Sequence, residues 1–268
     1  MCLNIALLQS NLYWENIAAN LAMFEEKISQ ITTNVDLIVL PEMFSTGFTM
    51  NAATLAEPMN LTTYKWLRQQ AQKMQAIVVG SCIIKEQGNF YNRLLWVQPD
   101  GKVDFYDKRH LFRLAGENQV YSAGNKKIIK NIKGWNICPL ICYDLRFPVW
   151  SRNNNLEYDV LLYIANWPNP RLNAWDTLLQ ARAIENLAFC VGLNRVGKDA
   201  KGNEYDGNSA VYDFKGQTLL KITNGKEATE IVSLQKAPLD EFREKFAVHL
   251  DADSFSLVTP SSDTSPTL

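Results

Sequence analysis

The sequence predicts an α/β protein: a four-layer α-β-β-α sandwich of two mixed sheets, face to face, with helices outside. Three observations lead there. The order strand, helix, strand, helix, strand, hairpin occurs twice along the 268 residues. The first strand runs into Gln9-Ser10-Asn11-Leu12-Tyr13-Trp14. It lacks the glycines of the phosphate loop that a single doubly wound sheet, the alternative, usually carries. Hairpins in each half require antiparallel pairs, which suit mixed sheets better than one purely parallel sheet. The halves differ too much in sequence to be a repeat, so the duplication is one of architecture.

In the first half, residues 3–8 form a short apolar strand. Ile17, Leu21, Phe24, Ile28 and Ile31 recur every three or four positions, which puts them on one face of a helix. Residues 35–40 are a second strand, ended by Pro41 and Glu42. A Gly- and Thr-bearing loop covers 43–59. Tyr64, Leu67, Ala71 and Met74 mark a second helix. Residues 76–84, rich in Val and Ile, are a third strand. Strands at 91–97 and 103–106 flank the turn signal Pro99-Asp100-Gly101.

The second half follows the same order. It has a strand at 135–141, a short helix at 148–154 and a strand at 159–165. A helix at 173–186 and a strand at 187–193 follow. Segments 210–214 and 217–222 form a hairpin around Lys215-Gly216, and 228–234 is a final strand. Residues 1–258 read as one domain. Residues 259–268, rich in Ser, Thr and Pro, read as a disordered tail.

With 47% hydrophobic residues, the chain can build one large core. A net charge of −1 gives no electrostatic case for nucleic acid or an anionic membrane. The cysteines are Cys2, Cys82, Cys138, Cys142 and Cys190, odd in number and without metal-ligand spacing. Free thiols in a reduced, cytoplasmic protein account for them most simply. No apolar run is long enough to span a bilayer, and residues 1–10 lack the basic region of a signal peptide.

Reactive groups collect where apolar strands end, which is where α/β sheets bind ligands. Glu42 follows the second strand. Lys108 lies just past the first hairpin. Cys142 ends the strand at 135–141, and Pro148 beyond it suits the first turn of a helix. Amides at such a turn favour a thiolate, the nucleophilic form of a thiol whose ordinary pKa is about 8.5. A cysteine nucleophile needs a base. His110 is one candidate; Glu42, with Lys108 as a supporting cation, is another. Lys108 could also stabilise an oxyanion, beside the Tyr143 backbone N–H.

Pro41-Glu42, Asp107-Lys108-Arg109-His110-Leu111-Phe112 and Ile141-Cys142-Tyr143-Asp144-Leu145-Arg146-Phe147-Pro148 resemble the three catalytic motifs of the nitrilase superfamily of carbon–nitrogen hydrolases. The resemblance spans residues 3–234. It implies the nitrilase-type sandwich, Glu42 as general base, Lys108 as the cation behind the tetrahedral intermediate, and Cys142 as nucleophile. Glu117 matches the additional active-site glutamate. The family is usually dimeric, and its chemistry needs no metal and no organic cofactor.

Residues 108–117, 163–168, 180–186 and 194–197 are further similar to the bacterial omega-amidase branch. That branch hydrolyses the terminal amide of 2-oxoglutaramate or 2-oxosuccinamate, 2-oxo acid amides left by transamination, including transamination linked to methionine salvage. A substrate of this kind carries a carboxylate and needs a cation. Arg113, Arg146, Arg171 and Arg195 are candidates, with a scaffold ion pair the expected role of Arg146. Phe112, Tyr143, Asn166 and Trp167 are expected to wall the pocket. One departure is Phe214, where many relatives carry Pro in the hairpin turn.

Overall fold

Alternation along the first strand decides the architecture. Leu3, Ile5 and Leu7 enter a core shared with a second sheet, while Ala6 and Leu8 enter one closed by helices. A strand apolar on both faces must be covered on both. The computed structural model describes residues 1–257, so the tail expected at 259–268 lies outside the described residues.

The strands, in chain order, are β1 (Cys2–Gln9), β2 (Leu37–Val39), β3 (Ile77–Glu86), β4 (Asn89–Val97), β5 (Val103–Asp107), β6 (Lys130–Ile132) and β7 (Trp135–Ile141). Then come β8 (Val160–Ala165), β9 (Phe189–Asn194), β10 (Val196–Lys198), β11 (Glu204–Asp206), β12 (Ala210–Tyr212), β13 (Thr218–Lys221) and β14 (Ala228–Gln235). One sheet has the order β14-β1-β2-β3-β4-β5, the other β13-β12-β9-β8-β7-β6. Both are mixed. The neighbours β1, β2 and β3 run parallel, as do β7, β8 and β9. The remaining pairs in each sheet are antiparallel.

Helices Ile17–Ser29 and Thr62–Met74 cover the first sheet. Leu21, Phe24 and Ile28 from one, with Trp66, Leu67 and Ala71 from the other, pack with Ala6, Leu8, Ile38 and Val78. Full burial of such a large apolar side chain contributes about 1.5–3 kcal/mol before ordering costs. Asn16 caps the first helix, its Oδ1 accepting from Ala19 N at 3.0 Å. Helix Leu172–Glu185 covers the second sheet through Trp175, Leu179 and Ala183. It lies so close that a Cβ on Gly192 of β9 would sit 2.4 Å from Leu179 Cδ1. These layers form the expected α-β-β-α stack.

Three local features differ from the sequence expectation or go beyond it. The final strand, β14, joins the first sheet rather than the second, pairing with β1 from Cys2↔Gln235 to Gln9↔Ala228. It thereby covers an edge that β1 would otherwise expose. Helix Lys236–Lys245 then crosses to the second sheet, where Arg243 Nη1 bonds Asp159 Oδ1 at 2.7 Å. The segment after β7 is a five-residue 3-10 turn, Cys142–Arg146, before the short helix Pro148–Ser151. And β10 with β11 forms a ribbon that no periodicity announced. Phe214 turns out to serve packing: it is buried between Phe189 and Phe242, with ring centroids 5.4 and 4.9 Å away. No helix among the described residues is long and apolar enough to cross a membrane.

Candidate active site

The ends of β2, β5, β7 and β8 converge. Glu42 follows β2, Lys108 follows β5, Cys142 follows β7 and Asn166 follows β8. The two sheets are joined at this point, since Asn166 N donates to Glu42 Oε2 at 2.8 Å. Asn166 Nδ2 also donates to the Glu42 carbonyl.

Cys142 has φ +43°, left-handed backbone that a residue with a Cβ adopts only under constraint. Asp144 supplies the constraint. This buried carboxylate accepts from Ile141 N at 3.1 Å, behind the nucleophile turn, and from Tyr106 Oη at 2.7 Å. It also accepts from His110 N at 3.0 Å, on the segment that carries Lys108. One side chain thus ties the Cys142 turn to the Lys108 loop.

Around Lys108 the charges are almost wholly out of solvent. Its Nζ lies 2.8 Å from Glu42 Oε1 and 3.0 Å from each carboxylate oxygen of Glu117. Glu117 Oε2 also accepts from Phe112 N at 2.6 Å. Burial opposes the charge of Lys108, but Glu117 and then Glu42 outweigh it and hold the ammonium above the ordinary lysine range. Burial pushes the Glu117 carboxyl up, and Lys108 opposes that shift.

The electrostatics of Cys142 correct the sequence expectation. Burial, and next the Glu42 carboxylate, push its thiol well above the ordinary value, against the pull of Lys108. The turn is too short to supply a helix-terminus field that reverses this. The resting group is a thiol, so attack needs a base at the moment of reaction.

These residues open on a cavity of about 480 Å³. Phe112, Tyr143, Asn166 and Trp167 line it, together with Glu42, Lys108 and Cys142. Tyr143 packs edge-on against Phe112, 5.0 Å between ring centroids. Arg146 and Arg171 line the same cavity, stacked over Trp167 and Phe112 at 5.0 and 5.1 Å. The scaffold ion pair expected for Arg146 is absent among the described residues. Arg195 is committed elsewhere, bonded to Asn11 Oδ1 and to the carbonyls of Val196 and Lys198. Arg113 is exposed and lies off the lining.

His110 does not join the site. Its ring stacks on Phe147 at 3.7 Å, its Nδ1 faces Asp144 Oδ1 at 2.8 Å, and it lines a separate cavity with Pro148 and Trp150. The histidine-assisted alternative thereby loses its base.

Three parts of the site escaped sequence reasoning. Phe48 lies 5.0 Å from Lys108 Nζ. The β10–β11 ribbon brings Asp199, Lys201, Asn203 and Tyr205 to the cavity. Asn92, on β4, donates to Glu42 Oε1 at 2.8 Å. Only Asn92 left a trace in the sequence: a polar residue in the expected strand 91–97, where burial demands a partner.

Residues 4–244 match the family model for carbon–nitrogen hydrolases. The chain is 47% identical to an omega-amidase, YafV, of Escherichia coli over 95% of this chain and 98% of that one. It is 34% identical to a 2-oxoglutaramate amidase of Bacillus subtilis, covering 80% and 84% of the two. A solved carbon–nitrogen hydrolase superfamily protein of Xanthomonas campestris, with an arsenic adduct in its active site, superposes with a TM-score of 0.94. It is 42% identical, with 96% of this chain and 100% of that one covered.

Proposed function

Because the chain belongs to the carbon–nitrogen hydrolase family, we propose that it is an omega-amidase. It would release ammonia from the terminal amide of 2-oxo acid amides such as 2-oxoglutaramate and 2-oxosuccinamate. One observation carries this reading beyond the family: two guanidinium groups without ion-pair partners among the described residues, on Arg146 and Arg171, share a cavity with Cys142. Guanidinium groups match carboxylates in shape and charge. Asn166 adds support for an amide over a nitrile. Its buried Oδ1 has no partner among the described residues, and an amide brings N–H donors that a nitrile lacks.

In this reading Glu42 takes the Sγ proton of Cys142, and sulfur keeps the electron pair and attacks the amide carbon. Lys108 Nζ and the Tyr143 backbone N–H meet the charge that develops on oxygen. Glu42 returns the proton to the leaving nitrogen, the C–N bond breaks and ammonia departs. Glu42 then deprotonates a water that attacks the thioester; the C–S bond breaks and the proton returns to sulfur. Glu117 keeps the Lys108 ammonium aimed between the two carboxylates. A cytoplasmic homodimer completes the reading, and the five free cysteines suit a reducing compartment.

The test is ammonia release from 2-oxoglutaramate, compared with glutamine, a simple nitrile and an N-carbamoyl amine, by wild type and Cys142→Ala. Cys142-dependent turnover favouring the oxo acid amide supports the proposal. Cys142-dependent turnover of another substrate alone moves the protein to another branch of the superfamily.

A further inference from the structure

We propose that Asn92 decides which oxygen of Glu42 serves as the base: it ties down Oε1 and leaves Oε2 to take the proton of Cys142. This rests on the reading of Glu42 as the base.

Asn92 is fully buried in β4, between β3 and β5. Asparagine is a poor strand former, and a buried amide is costly unless bonded. Here it contacts all three charged residues, Lys108 through the backbone and the two glutamates through their carboxylates. Its carbonyl accepts from Lys108 N at 3.0 Å. Its Nδ2 donates to Glu42 Oε1 at 2.8 Å and approaches Glu117 Oε1 at 3.4 Å. The opposite amide orientation would set an oxygen against two carboxylate oxygens, so chemistry fixes the NH₂ end toward them. In consequence Oδ1 is buried with no partner among the described residues. An orphaned acceptor is unfavourable, and what it secures is the pair of N–H donors facing the carboxylates.

Counting lone pairs identifies the free position. Each carboxylate oxygen accepts about two hydrogen bonds. Glu42 Oε1 has both, from Lys108 Nζ and Asn92 Nδ2. Glu42 Oε2 has one, from Asn166 N. Strand β7 runs parallel beside β8 with Ile141 opposite Ile164, so Cys142 and Asn166 stand at neighbouring strand ends, on the side that Glu42 Oε2 faces, and all three line one cavity. The S–H proton therefore passes to Oε2, and sulfur retains the bonding pair. Without Asn92, a second lone pair opens on Oε1, away from the thiol. The carboxylate also loses one of the donors that favour its ionised form.

The experiment uses the full chain, with Asn92→Leu and Asn92→Asp. Two profiles are followed against pH: kcat/KM for 2-oxoglutaramate, and the rate of Cys142 alkylation by iodoacetamide. We expect kcat/KM to fall about 10- to 100-fold with KM little changed. The acidic limb of both profiles should move to higher pH. Asn92→Asp keeps volume and polarity, so it answers the question even where the leucine variant folds poorly. Its added carboxylate should push the limb in the same direction. In a Glu42→Gln background, Asn92→Leu should leave the alkylation profile where Glu42→Gln alone puts it.

An acidic limb unmoved in folded Asn92 variants overturns the proposal while leaving Glu42 as base. So does an equal shift with and without Glu42. Glu42→Gln enzyme with the wild-type profile overturns the premise and the proposal together. Alkylation needs no amide substrate, so a mistaken substrate assignment cannot be confused with either result.

Discussion

Lys108 Nζ lies 2.8 Å from Glu42 Oε1, joining residues 66 apart in the chain with both side chains almost wholly out of solvent. The same ammonium touches Glu117, so one buried cation serves two carboxylates. Each member therefore depends on the others.

Replacing Lys108 with Met should abolish turnover and destabilise the fold by about 3–5 kcal/mol near neutral pH, because two carboxylates are left buried together. The defect should shrink as pH falls. Burial already pushes the Glu117 carboxyl up, and the variant removes the Lys108 charge that opposes this, so the native state binds more protons in the window between that carboxyl's unfolded and folded pKa values. Stability then rises as pH drops through that window. Urea denaturation at a series of pH values measures this. A defect that deepens toward acid would contradict it.

Glu42→Gln should remove turnover and yet lower the pH at which Cys142 ionises. Burial remains the largest cause of the raised thiol pKa, but the Glu42 charge that adds to it is gone, while Lys108 still pulls downward. Ultraviolet thiolate absorbance, compared with Cys142→Ala to isolate the one sulfur, reads the shift. Movement toward alkaline pH would refute the assignment.

Arg146→Leu and Arg171→Leu should each raise KM for 2-oxoglutaramate about 10- to 100-fold, the loss of a charge-assisted bond. A small neutral amide should be processed at nearly the wild-type kcat/KM. Equal losses on both substrates would mean that the arginines support the cavity wall, not a carboxylate.

Asp144→Asn should cost about 1–3 kcal/mol and reduce kcat. It weakens the bond to Ile141 N behind the strained Cys142 and the bond to His110 N beside Lys108. Thermal unfolding together with active-site titration of Cys142 would show the effect. Unchanged stability would mean that Asp144 does not hold the turn.

Glu42, Lys108 and Cys142 were legible because each stands in a local run with a recognisable pattern, beside Pro41, within residues 106–112 or within residues 138–148, while Glu117 was named through the family resemblance alone. Phe48 was not legible, because its neighbours are ordinary loop residues, and Asn92 showed only as a polar residue in a strand, with no sign of its partner. Their roles come from partners on other elements. Arg146 shows the same limit: proximity to Cys142 suggested an ion pair, but its guanidinium stacks on Trp167 from the following strand end.

By itself the sequence determined the alternation of strands and helices, the two-sheet architecture and the position of Glu42, Lys108 and Cys142 at strand ends. Those follow from periodicity and local motif, which act over a few residues. Tertiary structure alone decided that β14 closes the first sheet, that His110 faces Asp144, that the Cys142 thiol rests protonated, and that Asn92 occupies Glu42 Oε1. Each depends on burial and on contacts across many residues of chain, and charge and hydrogen-bond energies are set by those surroundings.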